Sequence, residues 1–202
     1  MIKAIAFDYG GVIITNESDL LTDISKYLNI DKSELIKEYN SLNYLSNIQN
    51  MSYEDLFVLI VSKFNNSKES KKHTLKLAKE NYKKWHLNIE LIEIIKKLKD
   101  KNYKIALLSN NVINLRKELI KNKTINLFDE IVISGEVGYQ KPQPEIFDIL
   151  FNKLGVAPSE VVFIDDNLKS LENVEIIGYI PILYKNIETF KNKLSEILGI
   201  KI

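Results

Sequence analysis

The sequence predicts an α/β fold, a doubly wound parallel sheet covered by helices on both faces and carrying an inserted block of helices. Three observations carry that expectation. Five short, nearly all-apolar runs are bounded by polar residues or glycine, as in strands buried on both faces. Amphipathic helical patterns alternate with the runs through short connections. One stretch, 15–88, has helical spacing throughout and no strand-like run.

The first run, "IKAIAF", delivers Asp8 and is followed at once by Gly10 and Gly11. The other four are "YKIALLS" at 103–109, "EIVIS" at 130–134, "EVVFID" at 160–165 and "YIPIL" at 179–183. Helical patterns occupy 88–102, 111–122, 144–155, 167–177 and 187–198, with Gly155 and Gly178 where helix C-caps are usual. The 15–88 stretch is too long for a crossover, so it reads as a helical subdomain inserted into a core made of 1–14 and 89–202. Within it, Ser52 stands three residues before Asp55, close to a capping box at the start of "MSYEDLFVLIVSKF".

Composition removes several classes of function. With 202 residues, 45% hydrophobic and 27% charged, the chain has the balance of a globular domain able to bury a core. Its formal net charge of +1 gives no reason to expect nucleic acid or an anionic membrane as partner. The absence of cysteine rules out disulfides, thiolate nucleophiles and Cys-based metal sites. No apolar run reaches the ~18 residues of a membrane span, and the N-terminal run does not read as a signal peptide. A cytoplasmic location is the expectation. Oligomeric state is not encoded in any pattern here.

In open parallel sheets the ligand site lies beyond the carboxyl ends of the strands. Asp8 follows the first run, Ser109 and Asn110 close the second, Lys141 comes shortly after the third, and Asp165, Asp166 and Asn167 end the fourth. Carboxylate oxygens and a backbone carbonyl suit Mg²⁺, which keeps waters and adds substrate oxygens. A serine hydroxyl, backbone N–H groups near Gly11 and an ammonium can hold phosphoryl oxygens while charge shifts. A central carboxylate can act as nucleophile. Taken singly, each has a plainer reading: Asp8 as a turn acid, Lys141 as a solvated lysine, Ser109 as a loop hydroxyl, and one of Asp165 and Asp166 as a helix cap.

Four segments in order, "FDYGGV", "LLSN", "KPQPEIF" and "FIDDN", resemble the four motifs of the haloacid dehalogenase superfamily. The resemblance runs from Asp8 to the end of the chain. It implies a Rossmann-like core, a helical-bundle cap at 15–88, and a Mg²⁺-dependent phosphohydrolase working through an aspartyl-phosphate on small phosphorylated metabolites. Asp8 would be nucleophile and metal ligand, Gly10 a metal ligand through its carbonyl, Asp166 the direct ligand from the fourth motif, and Asp165 a ligand or supporting partner. Ser109 and Lys141 would bind the phosphoryl group, with Asn110 and the backbone near Gly11 supporting it.

The sequence departs from the pattern at Gly10, where the phosphatases of the superfamily usually carry a second aspartate as general acid and base. A positioned acid is worth roughly 10²–10⁴ in rate, so its loss slows turnover and favours good leaving groups such as acyl or anomeric phosphates. Two alternatives compete. One is a non-catalytic relative that binds a phosphorylated ligand or a protein. The other is a 2-haloacid dehalogenase, which needs no second aspartate but resembles "DxYGT" and uses a cap arginine. Here the tyrosine is one place early, and the single arginine, Arg116, lies outside 15–88.

Overall fold

In a computed structural model describing residues 1–202, five parallel strands form one sheet in the order β5-β4-β1-β6-β7. These are β1 (Ala4–Phe7), β4 (Lys104–Ser109), β5 (Glu130–Ile133), β6 (Val161–Asp165) and β7 (Ile180–Leu183). The central strand β1 pairs with β4 on one side and β6 on the other. Pro181, which cannot donate to a ladder, sits on the edge strand β7. The architecture is thus the α/β, Rossmann-like sheet that the sequence predicts.

Alternation along the strands divides the core in two. Ile5, Phe7, Ile105, Leu107, Val162 and Ile164 face one side. They pack under α6 (Ile89–Asp100), α7 (Leu115–Lys121) and α11 (Ile187–Leu198), which contribute Leu91, Ile95, Leu119, Phe190 and Leu194. Ala4, Ala6 and Ala106 face the other side, where their small size admits the aromatic bulk of α9 (Pro144–Leu154). Phe147 of α9 meets Phe163 edge-on at 5.5 Å and stacks on Tyr179 at 4.9 Å. Helix α9 begins with Pro144 and ends at Gly155 (φ 63°), the N-terminal proline and C-terminal glycine expected from its sequence.

Helices α1 (Leu20–Leu28), α2 (Lys32–Leu42), α3 (Tyr44–Asn47), α4 (Tyr53–Ser62) and α5 (Lys68–Tyr82) lie between β1 and β4 in the chain. They enclose their own apolar cluster around Ile24, Leu35, Leu56 and Ile60. Side chains cap four of them: Asp19, Asp31, Ser52 and Ser67 each accept a backbone N–H of the first turn. Ser52 also donates its hydroxyl to Asp55 at 2.7 Å, whereas a capping box would have the Ser52 backbone N–H as the donor. No helix is long and apolar enough to cross a membrane.

Three details differ from the sequence reading. The 15–88 stretch does contain strand: β2 (Ile14–Thr15) and β3 (His86–Leu87) pair antiparallel where the insert leaves and rejoins the core. The 167–177 helix is instead a 3₁₀ turn at Leu168–Leu171 followed by α10 (Val174–Ile177). Asn173 between them is left-handed (φ 66°), a conformation asparagine tolerates and a continuing helix does not. The helix expected from 111 starts only at Leu115: the Asn111 carbonyl, which a helix from 111 would offer to the N–H of Leu115, accepts from Gly135 at 3.0 Å instead.

Candidate active site

Asp8 leaves the end of β1 with its N–H still bonded to Ile164 O of β6 at 2.8 Å, so the sheet itself aims it. Lys141, 32 residues along the chain from Ser109 at the end of β4, reaches the same point. Its ammonium lies 2.9 Å from Asp8 Oδ1 and 2.5 Å from Asp165 Oδ2, over the face of Phe163 at 5.2 Å. Lys141 and Asp165 are buried, and the Asp8 side chain keeps 13% exposure. The site is therefore a buried ion triad with one carboxylate partly exposed.

Asp165 has both oxygens committed, Oδ2 to Lys141 and Oδ1 to the N–H of Asn167 at 2.8 Å. Asp166 is exposed, and carboxylate oxygens of Asp8, Asp165 and Asp166 all fall within 4.8 Å of one another. Burial, and then the charge of Asp165, raise the Asp8 carboxyl to about 7 against the opposing pull of Lys141. Desolvation and Asp165 raise Asp166 to about 6. Burial opposes the charge on Lys141, but Asp8 and Asp165 outweigh it and hold the ammonium above its ordinary value. Crowded carboxylates of this kind gain most from a cation.

Gly11 is left-handed (φ 74°), and a Cβ there would stand 2.1 Å from Asp166 Oδ2, so glycine is required both for the turn and for the approach of Asp166. Gly10 differs: a Cβ built on it meets nothing within 4 Å. Tyr9 is buried in the core cluster on the side of Phe7 and Leu119. Burial and the charge of Glu118 push its phenol up to about 12, so it offers no substitute acid. The histidines are also elsewhere. His73 stacks on Tyr27 at 3.9 Å, and His86 meets Thr15 at 3.2 Å.

Ser109 ends β4 at 2% exposure, beside the strand that carries Asp8. Asn110 is engaged through its side chain: Nδ2 donates to Lys141 O at 3.0 Å, and Oδ1 accepts from Lys141 N at 2.8 Å. All the residues selected by sequence thus gather at one sheet edge. Sequence reasoning did not select Ser134, which directly follows β5 and is fully buried. Inspection of the residue after each strand, the test that found Asp8, would have included it. Asn47, Asn50 and Gln140, which also border the site, carry no such signal. Trp85 and Tyr82 lie at the insert's surface, Tyr82 donating to Glu118 of α7. Arg116 is engaged by both oxygens of Glu136 at 2.7 and 2.8 Å.

A parallel sheet with an aspartate after its central strand, and a lysine bridging that aspartate to a second one, defines a class of hydrolytic α/β proteins. The family model for haloacid dehalogenase-like hydrolases matches residues 2–172, and the chain belongs to that family. D-ribitol-5-phosphate phosphatase of Bacteroides thetaiotaomicron is 24% identical over 98% of this chain and 100% of its own length. Bifunctional epoxide hydrolase 2 of Sus scrofa is 28% identical over 57% of this chain but only 22% of its own length, so this chain spans a small part of that relative. A family enzyme from Bacteroides thetaiotaomicron, an Asp-to-Ala mutant solved with magnesium and inorganic phosphate, superposes with a TM-score of 0.66. It is 22% identical, over 92% of this chain and 95% of that one.

Proposed function

We propose that this chain is a Mg²⁺-dependent phosphohydrolase of small phosphorylated metabolites, with Asp8 as nucleophile and helices α1–α5 as its cap. The observation that carries the reading is the Lys141 ammonium held between Asp8 and Asp165 while the Asp8 side chain stays partly exposed. The phosphatase relative matched end to end, and the relative solved with magnesium and phosphate, support it.

The donor set fits the metal. Asp8 and Asp166 bring hard carboxylate oxygens within 4.8 Å of one another, the Gly10 carbonyl would join them, and burial followed by the charge of Asp165 raises both carboxyls. Asp165 serves as the partner that fixes Lys141, since both its oxygens are taken. When bound, Mg²⁺ would neutralise charge between Asp8 and a phosphoryl oxygen.

The chain's own residues account for the rest. One Asp8 oxygen attacks phosphorus as the bond to the leaving oxygen breaks, giving an aspartyl-phosphate and the departing alcohol or acid anion. Lys141 and the Ser109 hydroxyl hold the phosphoryl oxygens as charge moves between them. Water then attacks phosphorus, the Asp8–phosphorus bond breaks, and inorganic phosphate leaves. Helices α1–α5 would close over this exchange and exclude bulk water, with β2 and β3 as the joint.

The test is phosphate release from a panel of small phosphomonoesters and acyl phosphates, with and without Mg²⁺, beside Asp8→Asn. Metal-dependent release that vanishes in Asp8→Asn is the expected result. Absence of release across the panel overturns the reading, and halide release from 2-haloacids instead would establish a dehalogenase.

A further inference from the structure

The insert touches the core at the loops that carry the phosphate-binding side chains, and it does so through two asparagines. Asn47, the buried last residue of α3, donates Nδ2 to Gln140 Oε1 at 3.0 Å, and Gln140 immediately precedes Lys141. The Asn47 carbonyl accepts the Ser134 hydroxyl at 2.6 Å. That same hydroxyl accepts the N–H of Asn111, next to Asn110, at 2.9 Å. Three residues further on, Asn50 accepts the N–H of Ile113 at 2.8 Å and donates to Gly135 O at 3.0 Å. Asn110 then ties both loops together through its two bonds to the Lys141 backbone.

Gly135 shows that this seat is specific. Its backbone is not in the left-handed region, so no turn demands glycine there. A Cβ at 135 would instead lie 2.3 Å from Asn50 Oδ1 and 2.9 Å from Asn111 O. The missing side chain makes room for the Asn50 amide. Asn50 itself is left-handed (φ 59°), which turns the chain after α3 toward the core.

We propose that Asn47 and Asn50 are positioning residues: docking of α3 sets the loops of Asn110 and Lys141, so the phosphoryl site is complete only when the insert is seated. The proposal rests on the reading of Asp8 and Lys141 as the reaction centre. Undocked, Gln140 and Ser134 lose their bonds to Asn47, and Ile113 and Gly135 lose theirs to Asn50, while the Lys141–Asp165 pair remains. Misplacement of the ammonium by about 1 Å is enough to cost on the order of 10²-fold in rate.

The test compares wild type with Asn50→Ala, Asn47→Ala and Gly135→Ala, using acetyl phosphate with Mg²⁺ for kinetics and amide exchange at Ile113 as a structural readout. The expected result is a kcat lowered ~10- to 100-fold with KM changed less than about threefold, and faster exchange at Ile113 in Asn50→Ala and Gly135→Ala. Unchanged kcat in Asn50→Ala overturns the proposal. So does a rise in KM alone, which would mean that α3 supplies only uniform binding. Should Gly135→Ala fail to fold, Asn50→Ala still decides, because the Asn50 side chain is exposed. If wild type turns over no phosphorylated probe, the phosphatase reading fails on its own. The positioning proposal is then decided by Mg²⁺-dependent affinity for inorganic phosphate: weaker in the variants supports it, equal overturns it.

Discussion

A Cβ on Gly11 would occupy the space of the Asp166 carboxylate, 2.1 Å from Oδ2 and 2.4 Å from Cγ. Asp166 is the more exposed of the two carboxylates at the end of β6, and the left-handed turn at Gly11 is what lets it approach Asp8. Gly11→Ala should therefore act first on the metal site. It must strain a left-handed position, at about 1–3 kcal/mol, and push Asp166 away from the cluster. We expect the Mg²⁺ concentration for half-maximal phosphate release to rise at least ~10-fold, as when a supporting contact of a metal ligand is lost. A Mg²⁺ titration of activity beside a thermal melt reads both effects.

Lys141→Met should destabilise the fold most at neutral pH. The substitution keeps much of the buried stem but leaves Asp8 and Asp165 facing each other without a cation. Removing one partner of a buried ion pair typically costs about 3–5 kcal/mol, because the remaining charge is stranded. Acidification protonates Asp8, whose carboxyl burial raises to about 7, so the deficit against wild type should shrink toward pH 5. Urea unfolding at the two pH values checks this, and an equal deficit at both would contradict the ionic origin.

Mg²⁺ binding and stability should depend on pH in opposite senses. Asp8 and Asp166 have folded values raised to about 7 and about 6, above those of the unfolded chain. The metal-free fold thus binds more protons than the unfolded chain in this window, and its stability from these two groups falls as pH rises through it. Lys141, held above its ordinary value, stays charged throughout and adds no slope. The carboxyls of Asp19, Asp31 and Glu160 are held low by hydrogen bonds and titrate below the window. Mg²⁺ requires the ionised carboxylates, so its affinity should rise over the same range. The thermal shift on adding Mg²⁺ should be larger near pH 8 than near pH 5, as measured by scanning calorimetry in each buffer.

The sheet was legible because its strands are buried on both faces and their ends are marked by polar residues. Asp8, Ser109 and Asp165 each sit at such an end, and Lys141 is followed by prolines that suit a helix start. What was not legible arises from tertiary approach. Asn47, Asn50 and Gln140 look like ordinary loop amides until α3 meets the core. Ser134 also ends a strand, yet the glycine and lysine beyond it drew the reading further along. Asn173 broke an amphipathic helical pattern with a single left-handed residue, which periodicity does not register. The cleavage of roles between Asp165 and Asp166 needed coordinates, since adjacent aspartates are equivalent in sequence but only one is enclosed.

The open space at Gly10 makes the missing acid testable in the other direction. A Cβ there meets no atom within 4 Å and the backbone is not left-handed, so a side chain can leave residue 10 without a clash at Cβ. Tyr9 is turned into the core and both histidines are engaged elsewhere, so none of the three stands in for an aspartate at residue 10. Wild-type turnover should then depend steeply on leaving-group acidity, fast for acyl phosphates and activated aryl phosphates and slow for alkyl phosphates. Gly10→Asp should flatten that dependence, with gains of up to roughly 10²–10⁴ confined to the poor leaving groups. A series of phosphate esters graded by leaving-group pKa measures both slopes. Parallel slopes for the two proteins would show that the proton reaches the leaving oxygen by a route that does not need residue 10.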